Sequence, residues 1–171
     1  MFRIGLDIDN TIAGFDIGYI NRFGKFPKYD WAITRNVNNI LIHEKDFWLN
    51  LPLIRMPNFI PRLFCSARVN DKKWTKKYLL NHGLNSPLYQ VPGYNLSKYN
   101  TLKGKVDVFI DDSIKNFIDL NLKGIPCLLI DSPNNKSWGP IGRIYSLDIS
   151  EIYNTYDLFV KTAFKDFKLL I

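Results

Sequence analysis

The chain has 171 residues, 46% of them hydrophobic, enough for one domain with a real core and room for a small insertion. Its formal charge of +7, from 23 basic and 16 acidic residues spread along the chain, favours anionic partners such as phosphorylated metabolites or nucleic acid. Two cysteines inside apolar runs (Cys65, Cys127) and two distant histidines (His43, His82) argue against a disulfide framework and a zinc site, and no apolar run approaches membrane-spanning length.

The amino terminus enters a strand directly, without a charged-then-apolar leader, so the expected location is cytoplasmic. In that first stretch, Ile4, Leu6 and Ile8 form a short buried-strand pattern closed by Asp7 and Asp9, with Asn10 suited to a sharp, left-handed exit. Two carboxylates and a main-chain carbonyl at a strand end make a set of hard oxygens that suits Mg2+. Phe15, Ile17, Tyr19, Ile20 and Phe23 predict a helix ended near Gly24. A second short helix, 43–51, carries Phe47 and Trp48, and Pro52, Pro57 and Pro61 break up the next segment. About fifty residues thus separate the first strand from the next, and connections this long are usually functional. The expected division is a core of residues 1–12 and 61–171 with a small cap insertion at 13–60.

Residues 62–68 predict the second strand, turning small and polar at Ser66, and 69–80 a helix capped by Asp71. A third strand is expected near Leu88–Val91, and Ser97 caps a short helix bearing Lys98, Leu102 and Lys103. Residues 106–112 form a further strand, again closed by acids, Asp111 and Asp112, with a helix at 114–122 behind them. A strand at 124–130 exits into a plain loop, 131–135; a last short strand is expected at 144–149 and a helix from 149 to about 170. Alternating strands and helices predict an α/β fold, a Rossmann-like parallel sheet with helices on both faces. Three strands end in Asp7/Asp9, Ser66 and Asp111/Asp112, and in a parallel sheet those ends lie on one edge.

The segment Asp7-Ile8-Asp9-Asn10-Thr11 resembles motif I of the haloacid dehalogenase-like phosphatases. Phe64-Cys65-Ser66 resembles their second motif, and Val108-Phe109-Ile110-Asp111-Asp112 the fourth in its paired-acid form. The resemblance spans residues 2 to about 130 in the family's order. It implies Asp7 as a nucleophile giving an aspartyl phosphate, and Asp9 as general acid and then base. It implies a Mg2+ held by Asp7, the Asp9 carbonyl and Asp111, with Asp112 in a second shell or as an additional metal group. Phosphate would be bound by Ser66, by Ala67 beside it and by a lysine. Lys98, just after a cap, is preferred for that lysine over Lys103 and Lys105. Asn10 stands where the family often has Gly.

The family places a cap that selects the leaving group between its first two motifs, and here that segment is rich in aromatics. Phe15, Trp31, Arg35, Phe47, Trp48 and Arg68 are the candidate substrate contacts, with a small core of the cap as the competing role of the aromatics, and surface exposure that of Arg68. The aromatic cap and the paired acids resemble the 5'(3')-deoxyribonucleotidase branch, which implies a nucleoside monophosphate as the phosphate-monoester substrate. A phosphatase of nucleic-acid ends or of another small phosphorylated metabolite, a phosphotransferase or mutase, and a non-catalytic binding protein of the same fold are the alternatives.

Overall fold

A computed structural model describes residues 2–24, 41–91, 93 and 96–169. Six strands form one all-parallel sheet flanked by helices, in the order β3-β2-β1-β4-β5-β6. The strands are β1 (Ile4–Leu6), β2 (Leu63–Ser66), β3 (Leu88–Gln90), β4 (Val108–Asp111), β5 (Cys127–Ile130) and β6 (Arg143–Ile144). The chain winds outward from β1 through β2 and β3, then returns to the middle and winds the other way through β4, β5 and β6. The reversal falls between β1 and β4, paired at Ile4–Val108, Gly5–Phe109 and Leu6–Ile110. In such sheets the crevice beyond the carboxyl ends at the reversal is where ligands bind.

The central strands are buried on both faces and read as continuous apolar runs, as parallel strands must. Both cysteines are free and buried in them, Cys65 in β2 and Cys127 in β5, and burial pushes the Cys65 thiol up to about 12. Gly5 in β1 is required by packing. A Cβ there would lie 2.8 Å from Val106 Cγ1 and 2.9 Å from Phe109 Cδ2. Gly5→Ala is therefore expected to cost about 1–3 kcal/mol by overpacking, read from urea unfolding.

Six α-helices are described: α1 (Phe15–Phe23), α2 (Lys45–Leu49), α3 (Lys72–Asn81), α4 (Tyr99–Leu102), α5 (Ile114–Leu122) and α6 (Ile149–Phe159). Their ends follow local chemistry. Gly24 closes α1 in the left-handed conformation, Asp71 accepts from the Lys73 amide ahead of α3, and Ser113 accepts from the Asn116 amide at the start of α5.

The connection from β1 to β2 leaves and returns through one stem. Ala13 bridges Leu53 in antiparallel sense, the Gly14 amide donates to Pro52 O (2.8 Å) and the Ile54 amide to Ile12 O (2.8 Å). Its helix α2 packs on α3, and Tyr19, Leu41, Trp48 and Leu51 join the same apolar cluster as the strands. Trp31 and Arg35 lie outside the described residues.

The carboxyl-terminal part differs from the sequence expectation. The last strand is the pair Arg143–Ile144 rather than 144–149. It ends early because the Tyr145 and Ser146 amides donate to the Glu151 carboxylate (2.7 and 3.0 Å) instead of to β5. The helix expected to run to about 170 stops at Phe159, and a π turn (Val160–Phe164) and a 3-10 turn (Phe167–Leu169) follow. That change of pitch accompanies an aromatic cluster in which the Phe117 and Phe159 rings meet Phe167 at 5.4 and 6.0 Å. Among the described residues no helix is long and apolar enough to cross a membrane.

Candidate functional site

The crevice at the sheet reversal holds a cavity of about 390 Å3. Asp7 enters it directly from β1, its own amide still bonded to Ile110 O of β4 (2.8 Å). Ile8 turns back into the core, and Asp9 follows on the cavity wall. Asn10 then takes φ +55°, the only positive φ at a non-glycine among the described residues. Asn carries this conformation by accepting locally, here from the Asp16 amide at the start of α1 (3.1 Å). Arg55 fixes the turn from outside, donating to Asn10 O (2.9 Å) and to Asp131 O in the loop after β5 (2.5 Å).

Lys98 is the centre of charge at this site. Its side chain is 1% exposed, and its amine lies 2.8 Å from Asp7 Oδ1 and 2.8 Å from Asp111 Oδ2. Ser97 prepares the position by accepting from the Tyr99 amide (3.1 Å), so that the chain turns into α4 with Lys98 at its threshold. Burial works against the charge on Lys98, but Asp111 and Asp7 overcome it and hold the amine protonated. Lys103 and Lys105 stand elsewhere, Lys103 over the Tyr99 ring and Lys105 over Tyr89 while donating to Thr101 O.

Asp111, at the end of β4 and fully buried, accepts from Lys98, from the Ser113 amide (2.9 Å) and from Asn116 Nδ2 at 3.1 and 3.0 Å. Asp7, Asp111 and Asp112 form an acidic group, with one carboxylate oxygen from each lying within 4.8 Å of the others. Burial pushes the Asp7 carboxyl up to about 7, helped by Asp111 and Asp9 and opposed by Lys98. Loss of water, then Asp111 and Asp7, raise Asp112 well above the ordinary carboxylate range. Four acids thus gather here against the cations Lys98 and Arg68, with Lys115 also lining the cavity, and the carboxylate donors are all oxygen. A divalent cation such as Mg2+ fits both the charge excess and the donors.

Asp9 is held from the opposite side. Arg68 Nε donates to both its oxygens (3.0 Å each) and Nη2 to Oδ1 (2.7 Å). The Arg68 side chain is fully buried rather than on the surface. Ser66, which closes β2, accepts from the Arg68 amide through Oγ (3.1 Å), and Ala67 lines the cavity between them.

The aromatic residues of the inserted segment pack mainly on one another. Trp48 is 2% exposed, stacks on Phe15 at 5.8 Å, meets Phe47 edge-on at 5.1 Å and donates to Leu41 O. Phe15 and Trp48 still line the cavity, with Val69 and Ile114 completing its apolar wall; Phe47 supports them from behind. Three positions carry no signal in the sequence reading. Asn116 lies on the first turn of α5, where a Ser cap aims the helix at the site. Asn134 lines the cavity and bonds Asp16. Asn135 turns the supposed plain loop 131–135 into a capped 3-10 turn with Ser132 and reaches Asp112 O (2.8 Å).

No protein-family model matches the chain, and a search of curated proteins finds no match either.

Proposed function

We propose that this chain is a Mg2+-dependent phosphomonoesterase that works through an aspartyl phosphate, with a haloacid dehalogenase-like core and the segment after β1 as a small cap. The observation that carries the reading is the buried Lys98 amine held between Asp7 and Asp111, with Asp9 beside them on the same cavity at the sheet reversal. Buried ion pairs add little to stability, and a cluster of buried charged groups with perturbed titration at a cleft marks a candidate functional site.

In this reading one Asp7 oxygen attacks phosphorus. The bond from phosphorus to the ester oxygen breaks, its electron pair leaves with that oxygen, and the Asp9 carboxyl supplies the proton. Water then attacks phosphorus and gives its proton back to Asp9. The acyl-phosphate bond breaks, and Asp7 and inorganic phosphate are released. Lys98, on the cavity wall, steadies the phosphate oxygens; Ser66, fully buried, holds the turn after β2 through the Arg68 amide. Asp7, Asp111 and the Asp9 carbonyl would hold Mg2+, with Asp112 beside them in the same acidic group, and Asp111 would share its oxygens with Lys98, Ser113 and Asn116. Bound there, the ion supplies charge that offsets repulsion between phosphate and carboxylates.

The cavity, about 390 Å3 with an apolar wall of Phe15, Trp48, Val69 and Ile114, has the size of a small-molecule site. A nucleoside monophosphate is the favoured substrate. Phosphate release from 5'- and 3'-nucleoside monophosphates and a 3'-phosphorylated oligonucleotide, with and without Mg2+, tests the reading. Mg2+-dependent release from a mononucleotide is expected. Preference for the oligonucleotide would move the substrate to nucleic-acid ends, and no release from any of them would overturn the nucleotidase assignment.

A further inference from the structure

Arg68 is built in more firmly than a phosphate-facing arginine needs to be. Its main chain is fixed from the sheet, the amide by Ser66 Oγ of β2 (3.1 Å) and the carbonyl by Gln90 Nε2 of β3 (3.0 Å). Its guanidinium lies 5.0 Å from the Trp48 ring of α2 and 5.7 Å from the Tyr78 ring of α3. Cation-ring contacts on such a planar group fix its orientation as well as its place. Three hydrogen bonds from this held fork then take both oxygens of Asp9. The remaining Nη1 is buried and has no hydrogen-bond partner among the described residues.

We propose that Arg68 is a positioning residue for Asp9: held against the Trp48 and Tyr78 rings, its guanidinium fork takes two hydrogen bonds to Oδ1 and one to Oδ2, and so sets the carboxyl group with the open lone pair of Oδ2, which carries the transferred proton, toward the ester oxygen. The assignment rests on the phosphomonoesterase reading above. Because Trp48 belongs to the segment between β1 and β2, it also ties that segment to the reacting centre. A carboxylate gripped at both oxygens cannot rotate about its terminal bond, and proton transfer is sensitive to such alignment.

The test compares two esters by kcat/KM, which reports only steps up to loss of the leaving group. A nucleoside alkoxide needs a proton to leave; a nitrophenolate does not. In Arg68→Gln, kcat/KM on the nucleoside monophosphate should fall about 10²-fold while that on nitrophenyl phosphate falls several-fold at most. Arg68→Lys keeps the charge but loses the fork, and should show the same split in weaker form. Near-UV circular dichroism establishes that each variant is folded, and either variant alone suffices if the other is not. An equal fall on both esters, or no fall, overturns the assignment and leaves Arg68 a structural residue. Wild-type protein inactive on both esters overturns the phosphomonoesterase reading and this assignment together; an active wild type without the split overturns only the role of Arg68.

Discussion

Asp7→Asn should make the metal-free protein more stable at pH 8 while abolishing phosphate release. Burial pushes the Asp7 carboxyl up to about 7 in the folded chain, against about 3.9 in an unfolded one. Between those values the folded state holds a proton that the unfolded state has released, so stability falls as pH rises through the window. Above pH 7 the charged Asp7 costs roughly 4 kcal/mol, and Asn does not ionise. The variant should match wild type near pH 4 and exceed it by that order at pH 8, in urea unfolding with a chelator present. Mg2+ should close the gap by stabilising wild type more than the variant. A variant less stable than wild type at pH 8 would contradict the charge excess inferred for the site.

Lys98→Met should act in the opposite sense. Met keeps the bulk of the side chain and removes the one cation that lies 2.8 Å from both Asp7 and Asp111. Breaking a buried ion pair at one partner leaves the other charge uncompensated, and a loss of about 3–5 kcal/mol is expected at pH 8. The loss should shrink toward pH 5, where Asp7 and Asp112 take up protons in the folded state. Lys103→Met and Lys105→Met should leave stability and activity near wild type, because neither amine reaches the acids. Equal effects at all three lysines would contradict the central place given to Lys98. The opposite signs expected at positions 7 and 98 make the pair a sharper test than either variant alone.

The parallel α/β architecture was legible because each central strand is a short, uninterrupted apolar run and each following helix carries a local cap, as at Asp71 and Ser113. The carboxyl-edge residues Asp7, Ser66 and Asp111 were legible for the same reason, since their place depends only on where a strand ends. What the sequence could not give are contacts made at a distance. The Ser97 cap favours Lys98 over Lys103 and Lys105 locally, but only the path of the chain after β3 brings its amine to Asp7 and Asp111. Arg68 looks like a helix-start arginine until the chain brings it to Asp9, 59 residues away. Trp48 and Phe47 carry the same aromatic signal whether they stack on a ligand or on each other. Strand β6 was misplaced because Glu151 captures the amides that would have extended it, and the final helix because its pitch yields to the packing of Phe159 and Phe167 on Phe117.

The covalent role proposed for Asp7 is tested most directly by trapping the intermediate. Protein turning over a nucleoside monophosphate with Mg2+ would be quenched in acid, reduced with borohydride and sequenced by mass spectrometry. Borohydride reduces an aspartyl phosphate to homoserine and leaves free aspartate unchanged. Homoserine at position 7, dependent on substrate and Mg2+, is the predicted result. Phosphate release with Asp7 unmodified, or modification at another acid instead, would contradict it.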